Sequence, residues 1–182
     1  MKVKTIKLQD GSTLEIHNDE DATSPREDDN LGTMAFFHKR YKLGDKHGFD
    51  SPEELREHLA ETEALFLPVY MYDHSGISIS TKPFSCPWDS GQLGIIFVTK
   101  EKVISEYGNF SDSAQLNALN VLQNEVSIYN EFLQGNCYGF KAFDAQGNEV
   151  DSCWGFIGSD LKANGLLDYA GVGEECLEKQ SD

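Results

Sequence analysis

A continuous apolar run, ALFLPVYMY, occupies residues 64–72. Its length and its Val, Tyr and Phe content are typical of a buried β-strand. Pro68 lies inside the run and removes one backbone donor, so a lost ladder bond or a bulge is expected there. The next residues, DHSG at positions 73–76, include the Asp and Gly that a tight turn favours. The run therefore predicts a central strand that ends in a hairpin turn.

Two further strand patterns follow this turn. The segment ISIS, residues 77–80, alternates apolar and polar side chains, and LGIIFV, residues 93–98, is typical of a second buried strand. Between them lies TKPFSCPWDSGQ, residues 81–92, in which two prolines stiffen the chain and Phe84 and Trp88 offer apolar surface. A compact rigid loop of this kind is often functional, although a cover over the open end of the sheet is the simpler interpretation.

Helical signals separate the strand patterns. The clearest is residues 112–134, where apolar side chains repeat at three- and four-residue spacing. Glu125 and Glu131 lie away from that apolar stripe and are interpreted as a solvated face. N-cap residues and apolar spacing predict shorter helices over residues 51–61 and 100–107, and a third is expected near residues 160–170.

Two hairpins are predicted outside this middle region. One joins KVKTIKL, residues 2–8, to TLEIH, residues 13–17, and the other joins CYGFKAFD, residues 137–144, to EVDSCWGF, residues 149–156. Short turns between strands favour antiparallel pairing. The sequence therefore predicts an α+β fold: a mostly antiparallel sheet with one long helix and two or three shorter helices packed on one side.

The chain length suits a single α+β domain, which we place at residues 1–175 of the 182, with a frayed polar tail at residues 176–182. The hydrophobic content of 39% is enough for a real core. Residues 18–30, NDEDATSPREDDN, form an acidic solvated loop whose order the sequence leaves open.

Several classes of protein are disfavoured by what the sequence lacks. No apolar run is long enough to span a bilayer, and the N-terminus has no apolar segment of a secretory signal, so a cytoplasmic protein without membrane contact is expected. The four cysteines include no C-x-x-C pair, which disfavours zinc and suggests reduced thiols. No phosphate-binding, dinucleotide-binding, zinc-protease or EF-hand motif occurs. We therefore predict neither a cofactor nor a metal.

Charge is the strongest global signal. The chain has 15 Lys and Arg against 31 Asp and Glu, a formal net charge of −16. The excess is spread along the sequence, because residues 103–182 hold 13 acidic residues against 3 lysines. Such a surface repels nucleic acid and favours a basic partner, and distributed carboxylates can imitate the phosphate track of DNA. Simple solubility is the other interpretation of an acidic composition.

The two Gly-containing motifs also carry the residues of a small hydrolase or a metal-dependent enzyme. His74 with Asp73 and Asp89 could act on a nucleophile, Cys86 or Ser90, if these side chains converged within about 3–4 Å. No G-x-S-x-G elbow is present, and Asp and Gly are the residues that turns require. A structural turn is the favoured interpretation, and the enzyme is the alternative.

A basic cluster, HKRYK at residues 38–42, could contact phosphates directly. The strongly acidic chain around it argues against a regulator that binds DNA through this cluster. Weak direct DNA binding is therefore considered but not favoured.

Four motifs, LGTM, YDHSG, CPWDSGQ and DSCWGF, resemble as a set those of a family of small proteins carried by phages and mobile elements of gut bacteria. The resemblance extends from about residue 25 to residue 158. One branch of that family is similar to type II-A anti-CRISPR proteins, which inhibit an RNA-guided DNA nuclease.

This resemblance implies a binding protein, and not an enzyme, in the cytoplasm of a bacterial host cell. The implied partner is a type II CRISPR effector nuclease with guide RNA bound, whose DNA recognition or cleavage it would block as a partial DNA mimic. The family supplies no catalytic residue to transfer. Our predicted contact residues are the loop acids Asp19, Glu20, Asp21, Glu27, Asp28 and Asp29, with Asp73, Trp88 and Asp89 as a second patch.

Overall fold

The structure, a computed structural model, describes residues 1–173 and confirms the α+β fold. The chain separates into two compact units, each with its own four-stranded antiparallel sheet. Among the described residues, the terminal unit combines Met1–Ser24 with residues 135–173, and the central unit comprises Pro25–Gln134. The sequence predicts one sheet in one domain over residues 1–175, whereas the fold contains two sheets. The predicted tail, residues 176–182, lies outside the described residues.

Strands and helices are numbered along the chain. The strands are β1 (Lys2–Lys7), β2 (Thr13–Asn18), β3 (Thr33–Phe36), β4 (Leu65–Asp73), β5 (Ile77–Ser80), β6 (Ser90–Val98), β7 (Cys137–Phe143) and β8 (Glu149–Ile157). The helices are α1 (Pro52–Glu61), α2 (Lys100–Tyr107), α3 (Asp112–Leu133) and α4 (Leu166–Tyr169), and a short 3-10 helix covers Pro25–Glu27.

The terminal unit contains a sheet in the order β1-β2-β7-β8. Both predicted hairpins are confirmed, and β2 joins them by pairing with β7. One face buries a small core of Leu14, Ile16, Phe140, Leu166 and Val172.

The helix predicted over residues 160–170 is wrong in length, since only α4 forms. The Asp160 carboxylate accepts the amides of Lys162 and Ala163 in a separate turn. Gly165 then takes a left-handed conformation with φ of 82°, which a continuous helix does not permit.

Gly139 in β7 lies beneath the indole of Trp154 on the neighbouring strand. A Cβ atom at position 139 would lie 2.2 Å from Trp154 Cε3, far inside van der Waals contact. Glycine is therefore required here by close approach of a side chain.

We expect Gly139→Ala to lower the free energy of unfolding by about 1–3 kcal/mol, because the indole or the strand must shift. Urea denaturation followed by circular dichroism measures this loss. Gly48→Ala is the matched control, since a Cβ there meets nothing within 4 Å. Equal stabilities for the two variants would show that Trp154 moves aside freely.

The central unit contains a sheet in the order β3-β6-β4-β5, with β4 in the interior as predicted. Helices α2 and α3 cover one face, where Leu122 and Val126 of α3 pack on residues such as Ile96. Helix α1 lies on the opposite face, where Leu55 packs on Ile95. The prediction that all helices pack on one side is therefore wrong. Strand β6 presents apolar side chains to both faces, Ile96 toward α3 and Ile95 toward α1.

Pro68 is accommodated by the local pairing of β4. Strand β5 pairs only with Tyr70–Asp73, so Pro68 lies where β4 has no strand on that edge. The register with β6 shifts between Val69 and Tyr70, which confirms the predicted irregularity beside the proline.

A part-buried ion-pair network holds the start of the central unit against α3. The guanidinium of Arg26, whose side chain is only 6% exposed, donates to Asp45 Oδ2 at 2.6 Å and to Glu125 Oε2 at 2.8 Å. Glu125 Oε1 also accepts the Leu31 amide at 2.7 Å, and Asp45 accepts a further amide from β3. Glu125 is therefore largely shielded from solvent, with a side chain 10% exposed, and is paired, so its interpretation as part of a solvated face is wrong.

Candidate functional site

The YDHSG and CPWDSG motifs lie beside each other at one end of the central sheet. Strand β4 ends where β6 begins, and the Asp73 amide donates to the Asp89 carbonyl at 2.9 Å. The predicted hairpin tip is confirmed, since the His74 amide donates to the Gly76 carbonyl and Ser75 has φ of 58°. The two motifs thus form one loop surface.

The Asp89 carboxylate is the centre of this surface. Its Oδ2 atom lies 3.3 Å from His74 Nδ1 and 3.8 Å from the Cys86 sulfur. The Ser90 hydroxyl donates to the Cys86 carbonyl and closes the CPWDSG turn. The bonds of Asp89 therefore tie the loop to the hairpin tip, and the bonds of Cys86 to Asp89 and Ser90 close the turn around Trp88.

This geometry differs from a nucleophile–base pair. The carboxylate lies between the imidazole and the thiol, and within residues 1–173 no hydrogen bond joins His74 to Cys86 or Ser90. The His74 side chain is 63% exposed, so water reaches it freely. Nucleophilic catalysis needs the base to reach the nucleophile directly. The Asp89 contacts instead link the CPWDSG loop to the YDHSG hairpin tip.

Asp73, which the enzyme hypothesis places beside His74, contacts the basic cluster instead. The Tyr41 hydroxyl donates to Asp73 Oδ2 at 2.9 Å, and this bond raises the pKa of the Tyr41 phenol. Arg40 lies 3.7 Å from the same carboxylate oxygen and 5.0 Å from the Tyr41 ring centre. The cluster is thus folded against a carboxylate, which reduces its local positive charge. Sequence spacing could not show this contact, because 32 residues separate Tyr41 from Asp73.

Within the part of the chain that the structure describes, no group of three or more His, Cys, Asp or Glu side chains could hold a metal ion. The metal variant of the enzyme hypothesis therefore has no ligand set among residues 1–173.

Trp88 is the most exposed large apolar side chain of this surface, at 90%. Its loop is anchored by Phe84, whose ring stacks on Tyr72 at 5.6 Å between centroids, and Tyr72 also stacks on His74 at 5.9 Å. The predicted second patch of Asp73, Trp88 and Asp89 is therefore contiguous, while its contact with a partner stays a prediction.

The acids of the 18–30 loop belong to two different units. Asp19 is partly engaged, since its carboxylate accepts the Gly155 amide at 3.0 Å, and Glu20 lies 3.7 Å from the N-terminal amine. The other predicted contact residues of this loop are exposed: Asp21 in the terminal unit, and Glu27, Asp28 and Asp29 in the central unit.

Helix α1 carries an acidic face that the predicted contact residues do not include. Glu53, Glu57 and Glu61 are exposed and lie four residues apart, so they follow one side of the helix at a spacing of about 6 Å. The signal is present in the sequence as acids placed opposite Leu55 and Leu59.

No protein-family model matches the chain, and searches of curated proteins and of solved structures also find no match. The family resemblance therefore stays a prediction. Over residues 1–173, none of the helices has the length and apolar character needed to cross a lipid bilayer.

Proposed function

We propose that this protein is an anti-CRISPR-type inhibitor, which binds a type II RNA-guided DNA nuclease loaded with guide RNA and blocks target DNA recognition or cleavage. The observation that carries the proposal is Trp88, 90% exposed on a loop that Asp89 and Ser90 hold in place. Exposed tryptophans on ordered loops are frequent hot spots of protein interfaces. The motif resemblance supplies the class of partner.

The distributed carboxylates support the same proposal. A nuclease that grips nucleic acid presents a basic channel, and a chain of net charge −16 is attracted to such a channel from a distance. The exposed acids Glu27, Asp28 and Asp29 and the acidic face of α1 lie in the same unit as Trp88. The protein would act by occupancy, as a partial mimic of the DNA backbone, without chemical change of its partner.

A cleavage titration tests this function. Purified protein added to the nuclease–guide RNA complex is expected to abolish cleavage of a matched DNA duplex near one equivalent, and its affinity should fall as salt rises. Guide-free nuclease serves as the comparison for binding. Unchanged cleavage at saturating protein would reject the function, and complete inhibition far below one equivalent would reject the binding mechanism.

A further inference from the structure

Strand β1 forms one edge of the terminal sheet, and among the strands of residues 1–173 it pairs with β2 alone. The Leu8 amide donates to the Ser12 carbonyl at 2.9 Å, so the backbone of Leu8 faces β2. Because bonded and unbonded residues alternate along an antiparallel strand, Thr5 and Lys7 direct their amides and carbonyls away from the sheet. The outer edge of β1 therefore has the donors and acceptors that one more strand needs.

An open groove of about 970 Å³ lies beside this edge, on the face of the sheet that buries the core of the terminal unit. Residues 3–7 line one side of the groove and residues 159–162 line the other. Its apolar side chains are Val3, Ile6, Ile16, Leu161 and Leu167. Successive side chains of a strand point to opposite faces, so a strand added to β1 would place alternate side chains in this groove.

Lysines accompany the edge of β1 on both faces of the sheet. Residues 1–8 hold three lysines and no acidic residue. The register pairs Lys4 with the buried Ile16, on the groove side, and Lys7 is three residues further on, so its side chain lies on the opposite face. Both lysines are exposed, and among residues 1–173 neither forms an ion pair. Opposite charges stabilise a cross-strand pair and like charges destabilise it, so this edge favours an acidic strand and disfavours a second copy of β1.

The charges of the groove agree with this preference. Lys162 lies in its far wall, and Asp160, the only acidic residue among its described lining residues, accepts the amides of Lys162 and Ala163. The net charge of −16 repels an acidic partner at long range, but exposed charges more than about 8 Å apart are largely screened at physiological ionic strength. The lysines at the edge therefore decide which strand can pair there.

We propose that the edge of β1 and the groove beside it bind an extended acidic segment of a partner protein, which adds to the terminal sheet as a fifth strand. Main-chain hydrogen bonds to Thr5 and Lys7 hold the segment, Asp or Glu side chains face Lys4 and Lys7, and apolar side chains enter the groove. The site shares no residue with the Trp88 surface, so it does not depend on the proposed inhibition of a nuclease.

Fluorescence anisotropy with labelled peptides of about eight residues, at physiological salt, tests the site. The probe peptide carries two Glu residues at the spacing of Lys4 and Lys7, set among Val and Thr. We expect it to bind saturably, and a peptide with Lys in place of Glu to bind about tenfold more weakly or not at all. Of two probes N-methylated on alternate sets of amides, one should lose binding and the other should keep it, because an added strand uses one of its two edges. Failure of the probe to saturate, or equal binding by both N-methylated probes, would overturn strand addition.

Matched lysine variants locate the binding. Lys4→Gln combined with Lys7→Gln should weaken binding of the probe about fivefold, the loss of two cross-strand charge pairs. Lys42→Gln combined with Lys46→Gln removes two exposed charges from the central unit and should leave the affinity within about twofold. Equal weakening by the two double variants would show a general effect of net charge and would overturn the site. A dimer in sedimentation that the probe dissociates would assign the edge to a second copy of this chain and would also overturn the proposal. Circular dichroism and urea midpoints establish that each variant is folded.

Discussion

Replacing Arg26 by methionine is expected to lower the free energy of unfolding of the central unit by about 3–5 kcal/mol. The substitution leaves Asp45 and Glu125 as neighbouring carboxylates that have lost their shared cation, although their side chains are only 19% and 10% exposed. Backbone amides still donate to both carboxylates, but without a cation most of their desolvation cost is uncompensated. Methionine fills the space of the arginine stem, so the loss reports on the charge and not on a cavity.

Urea unfolding at neutral pH measures the effect, with Arg56→Met as the matched control. Arg56 also pairs with a glutamate, but both side chains are 72% exposed, and the loss there should be about 0–1 kcal/mol. Adding Glu125→Gln to Arg26→Met should recover part of the stability, because it removes one unpaired charge. Equal losses for the two arginine variants would contradict a stabilising network.

Sequence reasoning succeeds for contacts between residues that are close along the chain and fails for this distant ion pair. Ser51 caps α1 through a hydrogen bond from the Glu54 amide, three residues away, and such local signals gave the helix start correctly. Arg26 and Glu125 are 99 residues apart, so no local pattern connects them. A glutamate outside the apolar stripe of a helix is usually solvated. Glu125 is shielded because Leu31 and Gly32, just before β3, pack over it and donate their amides to its carboxylate.

The same distinction applies to the sheets and to the loop surface. The hairpin turns correctly predicted the pairing of β1 with β2 and of β7 with β8. The pairing of β2 with β7 joins residues more than a hundred positions apart, so the sequence gives no local signal that both hairpins belong to one terminal unit. The approach of YDHSG to CPWDSG follows from adjacent strands, yet their residue types suit catalysis and turns equally. Only the position of the Asp89 carboxylate, between His74 and Cys86, distinguishes a cross-link from a reactive pair.

Truncating Trp88 to alanine is expected to weaken binding to the nuclease–guide RNA complex by about 30-fold or more, the loss typical of an interface hot spot. The indole is 90% exposed, so the unfolding free energy should change little. The hydrogen bonds of Asp89 and Ser90 hold the loop without the indole, and the rest of the surface therefore keeps its shape. Equilibrium binding measured at two salt concentrations, with cleavage inhibition in parallel, gives the affinity ratio.

The salt dependence separates the contribution of the indole from that of the carboxylates. Trp88→Ala should lower affinity by the same factor at both salt concentrations, because an apolar contact is not screened. The combined change Glu27→Gln, Asp28→Asn and Asp29→Asn should instead flatten the salt dependence, since each contributing carboxylate is attracted to the basic channel. Trp88→Phe should retain part of the affinity, and Leu116→Ala, at another exposed apolar residue of the same unit, should retain all of it. Full affinity of Trp88→Ala would exclude this loop from the interface and leave the carboxylates as the sole basis for binding.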